Sequence, residues 1–239
     1  MLKYLNLVFF GVMILMNALA NALPLNNKTT GELSDSLPNL FVPAGLTFSI
    51  WGVIYLLVAL FCIIQFRAAN EAAVENIGWL FSVSCLLNAS WIVAWHYQRL
   101  PLSLMIMLLL LTTLIYINML IRDIQPGIIK AAFGIYLGWI CIATIANVTA
   151  VLVSYGWNGF GISEVAWTII MIAAGVLIVS VTLLRLDNPF IGLSVVWAFL
   201  GIWLKRQDDY KAIAITAIAA LSIVTIVTIL GFFRRKLGI

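Results

Sequence analysis

LLNASWIVAWHYQRLPLSLMIMLLLL, residues 86–111, carries two strongly apolar runs joined through one short polar turn, which Pro101 ends just after Arg99. The apolar character continues on both sides, so the runs extend over about 77–97 and 102–121. A membrane-spanning helix needs about 20 predominantly apolar residues, which is the length of each run. Lipid offers the backbone no hydrogen-bond partners, so segments of this kind are helices rather than open strands. The stretch therefore reads as two membrane helices joined by a tight turn.

Six further runs follow the same pattern: 5–23, 45–66, 128–154, 163–184, 188–204 and 212–233. The seventh in chain order, 188–204, is the shortest, bounded by Pro189 and by Lys205-Arg206. The breaks are marked by turn chemistry: the polar first loop 24–44 with Pro38 and Pro43, Pro126-Gly127, the Gly-rich YGWNGFGIS at 155–163, and Asp187-Asn188-Pro189. Of the 239 residues, 64% are apolar and only 9% are charged, with a mean hydropathy of +1.13. A soluble domain of this length cannot enclose so much apolar surface. The expected fold class is an all-α, polytopic membrane helix bundle of about eight transmembrane helices.

Charge places the helices. The net charge of +4 comes from Lys and Arg collected between and beyond the runs, the pattern of membrane topology rather than of a nucleic-acid patch. With alternating sides, Lys3, Arg67, Arg122, Lys130, Arg185, Arg234, Arg235 and Lys236 fall on one side, and Lys28, Arg99, Lys205, Arg206 and Lys211 on the other. Both termini are thus expected in the cytoplasm of a multi-pass protein, in a bacterial plasma membrane. The basic tail Arg234-Arg235-Lys236 reads as a topology anchor. Met1-Leu2-Lys3, the first run and Ala18-Leu19-Ala20 share features with a cleavable signal, but the run is long enough to span and carries Asn17, so a retained helix is expected.

Catalytic and metal chemistry find little footing. Cys62, Cys85 and Cys141 lie scattered inside runs and read as packing residues. The single histidine, His96, has no second imidazole with which to share a metal and no carboxylate at helical spacing, and it reads as a membrane-interface residue. The polar loop offers only Lys28, Glu32 and Asp35. No acidic residue sits at the middle of a run, where the ion-coupled transporters usually keep one. No enzyme activity, catalytic residue, metal or required cofactor is expected.

The runs hold tryptophan, tyrosine and asparagine instead. Asn88, Trp91 and Trp95 share one helix face, as do Tyr136, Trp139, Ala143 and Asn147; Phe48, Trp51 and Tyr55 open the second run in a similar register. Trp79, Trp157 and Trp203, near run ends, read as interfacial anchors. Trp51, Trp91 and Trp139, set deeper beside amides, are either helix packing or the lining of a pocket for a planar apolar ligand.

These same residues carry a family resemblance. VPAGLTFSIWGVIYLL (42–57) resembles the start of the second helix in the TspO/MBR family, the tryptophan-rich sensory proteins that include the translocator protein or peripheral-type benzodiazepine receptor. LLNASWIVAWHYQRLPLSLMIMLLLL is similar to its third and fourth helices through Leu87, Asn88 and Trp91, and IYLGWICIATIAN (135–147) to its fifth through Tyr136, Leu137, Trp139 and Asn147. The resemblance implies a five-helix bundle over residues 1–153, lidded by the 24–44 loop, with residues 154–239 adding about three helices. It implies a central pocket for a flat hydrophobic ligand such as a porphyrin or haem-like tetrapyrrole. Trp51, Asn88, Trp91, Trp95, Tyr136, Trp139, Ala143 and Asn147 would line or brace that pocket. It also implies membrane lipids and a homodimer as partners.

The chain departs from the pattern in places. Phe48 to Trp51 is one residue short, and Ile135 stands where the family usually has proline. Leu102 and Ser103 replace the fourth-helix Trp of the animal proteins, and no cholesterol motif follows Asn147. The expected function is sensing or carrying a flat apolar ligand. The alternative is a small-solute transporter or channel, for which Gly134, Gly138, Gly192 and Gly201 are the candidate weak points in the helices.

Overall fold

The computed structural model describes residues 1–22 and 25–237. Leu23 and Pro24 of the first loop region, and the side chains of Arg235 and Lys236 in the basic tail, lie outside the described residues. Ten α-helices and no strand occur among the described residues: α1 Leu2–Ala22, α2 Thr30–Asp35, α3 Ile50–Ile64, α4 Glu71–Ile77, α5 Leu80–His96, α6 Leu100–Leu120, α7 Ile128–Ser154, α8 Glu164–Leu186, α9 Phe190–Arg206 and α10 Lys211–Leu237. A 3-10 turn, Gly45–Ser49, leads into α3. The all-α polytopic bundle is as expected.

The count of spanning helices differs from eight. Six helices are long and apolar enough to cross a membrane, or seven if α4 and α5, bent by 61° about their break, form one span. The break falls at Gly78, whose φ of +53° suits glycine. The shortfall is α9, which has only 17 residues, the last two being Lys205 and Arg206. At 1.5 Å per residue it is about 25 Å long, shorter than the hydrocarbon core. It packs chiefly on α7 and α10.

Helix α7 is the axis. Every residue from Ile129 to Ile142 is buried, as befits a helix whose sequence is apolar or small on all faces. Helices α3, α6, α8 and α9 surround it. Glycine sets how closely α9 approaches: a Cβ on Gly134 would lie 2.7 Å from the Asn188 amide nitrogen, and one on Gly138 would collide with the Ile191 carbonyl and the Ser194 hydroxyl. Gly192 abuts Thr228 of α10, and Gly201 abuts Thr47 and Pro43. All four glycines read as weak points are therefore sites of close helix or strap approach, the usual role of small residues between membrane helices.

Polar side chains tie the ends. Lys130 is fully buried, although it counts among the loop cations in the sequence. Its Nζ donates to the carbonyls of Arg122 (2.6 Å) and Asp187 (2.8 Å), with the Asp187 carboxylate 4.0 Å away. Asn188 Nδ2 donates to Asn118 Oδ1 and to the Lys130 carbonyl, and Asn118 Nδ2 donates to the Phe133 carbonyl. This knot joins α6, α7 and the α8–α9 turn. A second buried set, Asn6, Gln65 and Ser82, joins α1, α3 and α5.

Candidate functional site

Trp51 enters from the first turn of α3 and meets three rings on other helices. Its ring centroid lies 6.3 Å from Trp91 on α5, 6.3 Å from Trp139 on α7 and 5.9 Å from Tyr136. Trp95, one helical turn beyond Trp91, stacks on it at 5.9 Å and 22°, and Phe48 meets Trp139 edge-on at 6.0 Å. These separations are typical of interacting aromatic pairs. Trp51, Trp91, Trp95, Trp139, Ala143, Asn147 and Phe48 enclose an uncharged chamber of about 50 Å³. Ala143, with only a methyl group, leaves the space between Trp139 and Asn147 open.

Amides brace the rings from behind. Asn147 Oδ1 accepts from Trp91 Nε1 (3.3 Å) and from the Ser103 hydroxyl (3.0 Å), while its Nδ2 donates to the Ala143 carbonyl. Asn88 does not line the chamber. It lies fully buried, donating to the Tyr136 hydroxyl (2.8 Å) and accepting from Asn17 Nδ2 (2.7 Å). An unpaired buried amide is costly, and this relay leaves Asn88 and Tyr136 satisfied while locking α1, α5 and α7 in register. Two wall atoms remain without a partner among the described residues, Trp95 Nε1 and Thr30 Oγ1, both buried.

The first loop closes the chamber. Thr29 and Glu32 form a reciprocal capping box that starts α2, with Thr29 N–H donating to Glu32 Oε2 at 2.7 Å. Thr30 and Ser34 of α2, with Pro43, form the roof. Beside it lies a second void of about 130 Å³ that shares Thr30, Phe48 and Trp51 with the chamber and reaches Asn17, Asn21 and Tyr55. The strap that follows α2 is fastened by α9. Arg206 donates to the carbonyls of Leu40 and Asn39 (3.0 Å each), Lys205 pairs with Asp35, Trp197 Nε1 donates to the Thr47 carbonyl (2.9 Å), and Ala44 N–H donates to the Gly201 carbonyl (3.0 Å).

All eight residues singled out in the sequence thus gather in one region: Trp51, Trp91, Trp95, Trp139, Ala143 and Asn147 at the chamber wall, Asn88 and Tyr136 in the layer behind it. Sequence reading missed Ser103, Asn17 and the roof residues Thr30 and Ser34. A polar residue facing inward from an apolar run was the available signal for the first two; the docking of α2 had none. His96, the last residue of α5, is buried within the bundle, with its Nδ1 2.8 Å from the Ile92 carbonyl.

A protein-family model described as TSPO-like protein matches residues 3–230. The match runs through α8 and α9 and most of α10, beyond the five-helix portion. No curated protein and no solved structure matches the chain.

Proposed function

The chain belongs to the TSPO-like protein family, and on that premise we propose that this multi-pass membrane protein binds a flat hydrophobic ligand, of porphyrin or other tetrapyrrole type, as a sensor or carrier. The observation that carries the reading is the convergence of Trp51, Trp91, Trp95 and Trp139 on one uncharged chamber. Stacking on each indole contributes about 0.5–1.5 kcal/mol beyond area burial. Trp95 Nε1 and Thr30 Oγ1 supply the few polar contacts that orient a ligand in an otherwise apolar site.

Ligand pockets of this kind usually hold about 300–1,000 Å³, well above the roughly 50 Å³ of the closed chamber. Binding is therefore coupled to outward movement of α2 and the strap, which merges the chamber with the void across Thr30 and Phe48. The division of labour follows: residues 1–153 carry the chamber, and α9 holds its roof. The four glycines on which the transporter reading rested are packing contacts, and the one bent span, α4–α5 at Gly78, places no residue at its break in the chamber lining.

Tryptophan fluorescence of the protein in nanodiscs, titrated with protoporphyrin, tests the proposal. Saturable quenching that weakens in Trp91→Phe and in Trp139→Phe supports it. Non-saturable quenching, or quenching unchanged in both variants, overturns it.

A further inference from the structure

A larger cavity, of about 250 Å³, lies between the strap, the end of α7 and the start of α8. It shares no lining residue with the tryptophan chamber. One wall is an indole pair, Trp157 and Trp167, with ring centroids 5.0 Å apart. Trp167 is fixed in place, because its Nε1 donates to the Gly159 carbonyl (2.8 Å). Gly159 has φ +62°, and a Cβ there would lie 2.9 Å from that same nitrogen, so the loop is shaped around the ring. The opposite side is apolar strap and helix, including Leu40 and Met171.

Most polar groups of the lining are already engaged. Asn39 Nδ2 donates to the Thr149 hydroxyl (2.5 Å), the Thr168 hydroxyl donates to the Glu164 carbonyl, and Asn158 Oδ1 accepts from Phe160 N–H. The one charged residue of the lining is Glu164, whose carboxylate makes no hydrogen bond or ion pair among the described residues. It is not needed as a helix cap, because Ser163 already accepts from Ala166 N–H. Two indoles beside one unpaired carboxylate, with no basic residue in the lining, form a recognition set for positive charge on an apolar body.

We propose that this cavity is a second ligand site, which takes an organic ammonium group carried on a compact apolar body. That chemistry is shared by soluble amines and by ammonium lipid headgroups. The probes are benzyltrimethylammonium and its uncharged carbon isostere neopentylbenzene, titrated against the full chain in phosphatidylglycerol nanodiscs, with indole fluorescence as the readout. The charged probe is expected to bind saturably and at least about threefold more tightly than the isostere, the order expected for a partly exposed cation–π contact beside an exposed carboxylate. Glu164→Gln, an exposed and mild change, is expected to abolish that preference while leaving protoporphyrin quenching intact, which separates this site from the chamber. In phosphatidylethanolamine nanodiscs, a weaker apparent affinity identifies the headgroup as the natural occupant, and an unchanged one identifies a soluble amine. Equal binding of the isostere, no saturable binding of the charged probe, or a preference that survives Glu164→Gln overturns the proposal.

Discussion

Arg206→Ala removes the two hydrogen bonds that hold the strap at Asn39 and Leu40, each 3.0 Å long. Hydrogen bonds from a charged donor contribute about 1.5–3 kcal/mol when desolvated. Arg206 is only half-buried, and the freed carbonyls regain water, so about 2 kcal/mol for the pair is the reasonable figure. That corresponds to a shift of about 30-fold in the closing equilibrium of the roof. The neighbouring Lys205–Asp35 pair is more exposed and is worth at most about 1 kcal/mol, or about fivefold. The far end of the strap stays attached through Ala44 and Thr47, so the roof swings instead of detaching. Stopped-flow quenching by protoporphyrin reads the effect directly: association accelerates by about 10- to 30-fold in Arg206→Ala and by less than about fivefold in Lys205→Ala. Association unchanged in Arg206→Ala, or an effect of Lys205→Ala equal to it, refutes the reasoning.

Other consequences follow from individual contacts. Asn147→Leu strands the Trp91 indole N–H and takes one acceptor from Ser103; a loss of about 1–2 kcal/mol is expected in detergent unfolding, with Trp91 emission altered. Gly134→Ala drives a Cβ into the Asn188 amide and is expected to destabilise by about 1–3 kcal/mol, whereas Gly52→Ala, which meets open space, stays within about 1 kcal/mol of the parent in the same assay. Glu32 is held below the usual carboxylate range, first by the Thr29 backbone N–H and then by its hydroxyl. A lowered folded value gives α2 stability that is present above the unfolded carboxylate pKa and lost as pH falls through the folded one. The Thr29 amide resonance is therefore expected to move toward its unfolded position in acid, and Glu32→Gln, which keeps an acceptor, is expected to flatten that response.

How far the sequence reveals this site depends on whether the information is local. The i, i+3, i+7 register of Asn88, Trp91 and Trp95 lies within one helix, and helical geometry alone puts them on one face. The inward turn of Trp139 and Asn147 follows in the same way. Which of those residues meet across helices is not local: Asn88 pairs with Tyr136, 48 residues on, and so lies behind the chamber and not at its wall. The roof is least legible, because α2 is short and polar and its anchor is Arg206, 167 residues beyond Asn39. Gly134 and Gly138 show a different ambiguity. Glycine in an apolar helix marks either a bend or a close neighbour, and only the position of α9 decides between them. Lys130 reads as a loop cation because it stands two residues into α7, yet three carbonyl and carboxylate groups from other segments bury it there.

The central claim is that the four indoles of Trp51, Trp91, Trp95 and Trp139 surround one binding space. Fluorine NMR of 5-fluorotryptophan-labelled protein, titrated with protoporphyrin, tests it most directly. The four resonances are expected to shift together along one saturation curve, while that of exposed Trp79 stays in place. A titration that moves Trp79 and leaves the chamber tryptophans unchanged contradicts the account.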